Sequence, residues 1–129
     1  MLLKTLSLVA LGGAAGSMLR YLAVLGAARL WPQALLPWGT LLVNLVGSLA
    51  IGLLYVLLVE RHGVPAEWRA LLLTGLLGGF TTFSAFALES ASLWQAGSGG
   101  VALVYMLASL ATCVAGAALA LTLGRALLL

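Results

Sequence analysis

Residues 74–89, TGLLGGFTTFSAFALE, decide how the third apolar segment of this 129-residue chain is built. Three glycines and the β-branched pair Thr81 and Thr82 stand where an uninterrupted helix would cross the middle of a membrane. A Gly-Gly pair followed by a Thr-Thr pair predicts a break in that helix. Non-helical backbone is tolerated at such depth only where it is buried in protein or faces a polar cavity.

A break of this kind frees carbonyl groups at the end of the first half-helix and N–H groups at the start of the second. Free carbonyl groups can hold a cation, whereas half-helix N-termini favour anions. The alternative is a packing kink in which the threonine hydroxyls bond back to the backbone. The residues by themselves leave an ion site and a packing kink equally open.

The composition around this stretch is that of a membrane protein. Hydrophobic residues make up 64% of the chain and charged residues 7%, whereas soluble domains are nearer half apolar and a quarter charged. Because one span takes about 20 apolar residues, we predict an all-α membrane protein with four transmembrane helices and no soluble domain. The predicted spans are residues 2–25, 37–59, 65–94 and 101–123 of a single four-helix transmembrane domain covering residues 1–129. The first is taken as a span and not as a cleaved signal, because its apolar run continues past Ala15.

The charged residues bear on membrane orientation. The net charge is +3, but the basic residues are scattered singly, unlike the clusters of a nucleic-acid-binding protein, so we expect no nucleic-acid partner. The predicted spans place four basic residues at one membrane face and two toward the other: Lys4, Arg61, Arg69 and Arg125 against Arg20 and Arg29. This bias favours cytoplasmic termini only weakly, and the sequence leaves the orientation open.

Polar and aromatic residues inside the spans are the candidates for function. Asn44 is the only amide within a span, and its NH₂ group can donate to an anion. Phe83 and Phe86 share one face of the second half-helix, and their positively polarised ring edges suit a narrow anion path. Ordinary aromatic packing is the alternative. Glu89, toward the end of the third span, is interpreted as a vestibule residue.

The fourth span adds a row of small polar side chains. Tyr105, Ser109 and Cys113 follow one another at four-residue spacing with Thr112 beside them. Hydroxyl donors along one helix face could replace part of the hydration shell of an anion, although interhelical hydrogen bonds worth about 1 kcal/mol each would also explain them. Small residues at the same spacing in the first and fourth spans, such as Gly12 and Gly16, predict close helix packing.

Three segments carry a resemblance that covers nearly the whole chain: GGAAGSMLRY at 12–21, GTLLVNLVGSLAIG at 39–52 and GGFTTFSAFALE at 78–89. In this order and spacing they resemble the signature segments of the CrcB/Fluc family of small fluoride channels. The resemblance implies an antiparallel, dual-topology homodimer in the bacterial inner membrane, with two pathways for passive fluoride export. The choice of fluoride over chloride rests on this resemblance.

The resemblance also assigns roles to individual residues. The fluoride pathway it implies contains Asn44, Phe83, Phe86, Tyr105, Ser109 and Thr112. Arg20 is expected near the aqueous vestibule, and the backbone carbonyls of Gly78 and Thr81 are expected to hold a structural Na⁺ at the dimer interface. Cys113 departs from the family pattern, since it stands where a hydroxyl residue would extend the polar row.

Other function classes fit the sequence less well. A small proton-coupled multidrug or cation antiporter needs a carboxylate buried in mid-span, and the first span has none. A membrane enzyme would need a carboxylate pair, a metal-ligand cluster or a cysteine beside a base, and no span carries one. A scaffold subunit would explain the small residues but not the broken helix. The sequence therefore predicts a fluoride channel and not an enzyme.

Overall fold

The computed structural model describes residues 1–129 and is helical almost throughout. Its helices are α1 (Leu2–Leu30), α2 (Trp38–Arg61), α3 (residues 66–80), α4 (Ser84–Gln95) and α5 (Gly99–Leu128). Four segments are long and apolar enough to cross a membrane, because α3 and α4 together form the single interrupted span Ala66–Gln95. The predicted fold class, with four spans and a broken third helix, is confirmed.

The helix ends lie beyond several predicted boundaries. α1 continues to Leu30 and not only to about Leu25, while α5 covers Gly99–Leu128 and not just residues 101–123. α2 ends two residues after the predicted Val59, just before Gly63, whose φ of +54° suits glycine. Apolar content marks the membrane-embedded part of a helix, whereas backbone hydrogen bonding continues until a turn residue ends it.

Two stretches within the spans are wound as π-helix: Val56–Arg61 at the end of α2 and Ala70–Leu77 in α3. In a π-helix each N–H bonds five residues back, as the His62 N–H does to the Leu57 carbonyl. The longer stretch leads directly into the broken part of the third span. No feature of the sequence predicts it.

α1 packs against α3 with backbone touching backbone. Gly12 and Gly16 are both buried in this contact. A Cβ added to Gly12 would meet the carbonyl oxygen of Leu71, and one added to Gly16 would meet that of Leu76. From the opposite side, a Cβ on Gly79 would lie 2.6 Å from the Gly13 carbonyl oxygen. The small residues of the first span therefore serve tight packing, as predicted.

α2 packs against α5 in a second close contact. A Cβ on Gly52 would lie 2.8 Å from the Ala117 carbonyl oxygen, and one on Gly124 would lie 3.3 Å from the Val56 side chain. This contact fixes which face of α5 turns inward. Gly116, Ala120 and Gly124 are buried there.

Ion pairs join helix ends at one face of the bundle. Lys4 of α1 lies 3.8 Å from Glu67 of α3, and Arg125 of α5 forms a two-point contact with Glu60 of α2 whose shortest distance is 2.8 Å. These contacts place the start of α1 and the end of α5 at the same face.

Candidate functional site

A cavity of about 360 Å³ lies between α2, the broken third span and α5. Its lining includes six of the ten residues selected from the sequence: Asn44, Gly78, Thr81, Phe83, Phe86 and Ser109. No charged side chain lines it. The polar atoms that line the cavity come from amide, hydroxyl, thiol and backbone groups.

The third span is broken at residues 81–83, directly beside this cavity. Thr81 adopts an extended conformation, with φ −87° and ψ 160°, while Gly78 and Gly79 before it are still helical. The predicted break is therefore confirmed, and it lies at the threonine pair and not at the glycine pair. Of the two glycines, Gly79 serves the approach of α1, whereas Gly78 lines the cavity.

The Asn44 side chain holds the centre of the break from the neighbouring helix. Its Nδ2 donates to the Thr82 carbonyl oxygen at 2.9 Å, and its Oδ1 accepts the Thr82 N–H at 2.7 Å. The amide thus pairs with both backbone groups of Thr82, as an adjacent β-strand would. An NH₂ group has two hydrogens, so one donor remains after this pairing, and Asn44 also lines the cavity.

Other side chains satisfy most of the remaining backbone groups. The Thr81 hydroxyl and N–H both donate to the Leu77 carbonyl oxygen, each at 3.0 Å. Thr82 Oγ1 accepts the Ala85 N–H at 3.2 Å and so caps α4. These threonine contacts are of the kind expected for a packing kink.

Arg20 also belongs to the break. Its Nε donates to the Gly79 carbonyl oxygen at 3.0 Å. Arg20 lies ten residues before the end of α1 at Leu30, a distance of about 15 Å along the helix. The sequence analysis expects Arg20 near the aqueous vestibule, and this role stays a prediction; the structure shows α1 continuing to Leu30 and the Arg20 side chain reaching the break.

Among the hydrogen bonds at the break, none goes to the carbonyl oxygens of Gly78 and Thr81. Both residues line the cavity. Carbonyl groups freed by an unwound membrane helix are the ligands that Na⁺ takes in such proteins. The residues selected for the sodium site therefore fit the cation chemically.

The two phenylalanines predicted to share a face both line the cavity. Their ring centroids are 5.5 Å apart, with 54° between the ring planes. Phe83 is 79% exposed, whereas Phe86 is partly buried and its ring lies 5.3 Å from that of Tyr105. Phe83 therefore stands at the open side of the cavity, and Phe86 at its protein wall.

Tyr105 and Glu89 lie together behind Phe86. Tyr105 is fully buried, and its hydroxyl donates to Glu89 Oε2 at 2.7 Å. Thr40 donates to Glu89 Oε1, also at 2.7 Å. Glu89 therefore lies in a hydrogen-bonded cluster among α2, α4 and α5. It is partly exposed and also lines a second, smaller pocket beside the loop between α1 and α2, so its role as a vestibule residue stays a prediction. Tyr105 does not line the larger cavity.

Thr40 is a member of this cluster that the sequence analysis did not select. A signal for it was present, since Thr40, Asn44 and Ser48 follow one another at four-residue spacing on one face of α2. The hydroxyl of Ser48 bonds only to the Asn44 carbonyl oxygen, and Ser48 also lines the cavity.

The polar row of α5 is only partly directed at the cavity. Ser109 lines it, and Ser109 Oγ is the only buried side-chain oxygen or nitrogen without a hydrogen-bond partner. Thr112 is exposed elsewhere on the helix and bonds back to the Ala108 carbonyl oxygen at 2.6 Å. Cys113 lines the cavity in place of Thr112. It lies one helical turn after Ser109, and the packing of α5 on α2 directs this side of the helix toward the cavity.

Comparison with known proteins identifies relatives over most of the chain. Residues 7–121 match the family of CrcB-like proteins, also described as Camphor Resistance (CrcB). A "Fluoride-specific ion channel FluC" from Chelativorans sp. (strain BNC1) is 52% identical over 92% of this chain and 91% of its own length. Proteins of the same name from Agrobacterium fabrum and Paracoccus denitrificans are 48% and 50% identical, over 93% and 92% of this chain and 95% and 93% of their own lengths.

Proposed function

This chain belongs to the CrcB family, and from that premise we propose that it is a fluoride-selective channel that lets fluoride leave the cytoplasm passively. The relatives' names supply the ion, since each is described as a fluoride-specific channel. The chain is a multi-pass membrane protein, and we place it in the inner membrane of a bacterium.

The observation that carries this proposal is a cavity with unused neutral donors and no charged side chain. Fluoride is strongly hydrated, so a path must offer several donors to replace its water. The Ser109 hydroxyl is buried without a partner, and one Asn44 N–H remains after the Thr82 pairing. Neutral donors suit conduction because they compensate the ion's dehydration without holding it as tightly as a fixed cation would.

The antiporter alternative has less support. It requires a carboxylate that exchanges protons for a cation along the transport path. The only carboxylate inside the bundle is that of Glu89, which accepts hydrogen bonds from Thr40 and Tyr105 outside the cavity. The relatives are also named as channels.

We further propose that the channel is an antiparallel homodimer with two fluoride pathways. Four spans give one chain too little wall to enclose a pore. The cavity is open on the side where Phe83 lies, and Phe83 itself is 79% exposed. A second copy lying against this side would close the path. The weak difference in basic residues between the two membrane faces is compatible with insertion in both orientations.

For the dimer interface we propose a structural Na⁺ held by the carbonyl oxygens of Gly78 and Thr81. Its support is that none of the hydrogen bonds at the break goes to either oxygen. The cation would compensate these two backbone dipoles at membrane depth.

The experiment that tests conduction is ion release from sealed liposomes containing the purified protein. An ion-selective electrode records fluoride release, and matched liposomes loaded with chloride provide the control. We expect fast fluoride release with negligible chloride release. Equal release of both ions would contradict selectivity, and release of neither from folded protein would refute the channel function.

The sodium site is tested separately, on protein purified in Na⁺ or in a large organic cation such as N-methylglucamine. Cross-linking and size-exclusion chromatography report the fraction of dimer in each case. We expect a larger monomer fraction without Na⁺. A dimer fraction that is the same in both cations would exclude a structural role for sodium.

A further inference from the structure

Cys113 gives the cavity a group with chemistry that none of its other residues has. It is the only cysteine of the chain, and it is partly exposed on the cavity wall contributed by α5. Its sulfur takes part in no hydrogen bond, and no disulfide is possible within one chain. Any thiol chemistry of the protein therefore occurs at this one position.

Ser109 shows that this part of the wall is built for a ligand. It lies one turn before Cys113, it lines the same cavity, and only 6% of it is exposed. Its Oγ is buried without a hydrogen-bond partner, although buried polar atoms are nearly always paired. A hydroxyl donor with nothing to bind and a thiol thus face the same space.

We propose that Cys113 is a modification site at which a small sulfenylating compound, one that transfers an RS group to a thiol, closes the ion path. The inference rests on the proposed function, since it places Cys113 beside the conduction path. The reactive species is the thiolate, and Cys113 is partly exposed on the cavity wall, where a reagent can reach it. A cavity of about 360 Å³ has room for the added group.

The reaction is a simple exchange at sulfur. The Cys113 thiol gives its proton to solvent, and the thiolate attacks the sulfenyl sulfur of the reagent. A new S–S bond forms to Cys113 while the S–S bond of the reagent breaks. With a thiosulfonate the leaving group is a sulfinate, and with a small disulfide it is a thiolate, so no further oxidant is needed.

Modification is expected to stop conduction for a physical reason. The RS group fills the space next to Ser109 with apolar atoms and separates an ion from a free donor. A strongly hydrated anion that loses one ligand and meets a narrower path passes more slowly. We expect fluoride flux to fall by about tenfold or more, which corresponds to about 1.4 kcal/mol on the barrier.

The test uses methyl methanethiosulfonate on the full-length protein in liposomes. Fluoride release and intact mass are measured before treatment, after treatment and after reduction with dithiothreitol. The matched control is Cys113→Ser, which removes the thiol, keeps a small polar side chain and leaves the protein free of cysteine. We expect one methylthio group per chain, loss of flux in the wild-type protein alone, and recovery on reduction.

Three results would overturn the inference. Full labelling with unchanged flux would show that Cys113 does not lie beside the path. Absence of labelling in the folded protein, with labelling after denaturation, would show that the thiol is not reachable. Equal loss of flux in Cys113→Ser would place the effect elsewhere. Failure of the proposed function would be distinguished by the absence of fluoride release before any reagent is added.

Discussion

Replacing Asn44 with alanine should disable the channel by releasing the broken part of the third span. The substitution leaves the N–H and the carbonyl of Thr82 without the partners that now lie 2.7 Å and 2.9 Å away. An unsatisfied buried group costs about 1–3 kcal/mol, so the two together cost about 2–6 kcal/mol. Even the lower figure reduces the equilibrium ratio of native to released break roughly 30-fold. We expect fluoride flux to fall strongly, by up to that factor for a loss of about 2 kcal/mol.

The assay is the fluoride electrode measurement on liposomes, with size-exclusion chromatography to confirm that the variant folds. Ser48→Ala is the matched control, because Ser48 lines the same cavity but its hydroxyl bonds only within α2. Asn44→Asp separates the two halves of the pairing. It keeps an acceptor for the Thr82 N–H, sets an oxygen against the Thr82 carbonyl and adds a negative charge to an anion path, so its flux should be abolished.

One result would refute this reasoning. If Asn44→Ala gives a folded dimer that conducts fluoride at the wild-type rate, the pairing with Thr82 is not needed to hold the break. If Asn44→Asp also conducts normally, Asn44 does not belong to the path at all. A defect in Ser48→Ala as large as that in Asn44→Ala would mean that any change in this wall is harmful.

Three further tests address other parts of the structure. Gly12→Ala should prevent α1 from packing against α3, so size-exclusion chromatography should show aggregated protein. Gly26→Ala should be harmless, since an added Cβ at Gly26 meets nothing within 4 Å. Equal behaviour of the two variants would argue against the α1–α3 contact. Phe83→Ile should lower flux with little change in melting temperature, because Phe83 is 79% exposed; normal flux would remove the ring from the mechanism. Glu89→Leu should lower the melting temperature more than Glu89→Gln, since glutamine still offers hydrogen-bonding atoms to the Tyr105 hydroxyl; the reverse order would mean that these contacts do not stabilise the bundle.

The sequence predicted most where a property depends on local composition. The four spans followed from apolar content, and the break followed from glycines and β-branched residues in mid-span. The placement of Phe83 and Phe86 on one face followed from helical spacing. These features depend on residues close together in the chain, and they are therefore readable from a short stretch.

The sequence predicted least where a property depends on contacts between distant segments. The partner of Asn44 is 38 residues away, and only the packing of α2 beside the break brings the two together. Glu89 lies near the end of a span, and its two hydrogen-bond partners come from α2 and α5, which are distant from it in the sequence. The four-residue spacing put Cys113 in one row with Ser109, but that this row and not Thr112 faces the cavity depends on how α5 packs against α2.

The contacts that satisfy the break also bear on how the chain is made. Arg20 of α1 and Asn44 of α2 supply three long-range hydrogen bonds to Gly79 and Thr82. Both precede the break in the chain, so a ribosome that works from the N-terminus releases them first. When the third span enters the bilayer, the side chains that hydrogen-bond to its unpaired backbone groups are already in place. The unpaired backbone groups of residues 79–82 therefore find their hydrogen-bond partners as soon as they enter the membrane, without depending on a segment that is synthesised later.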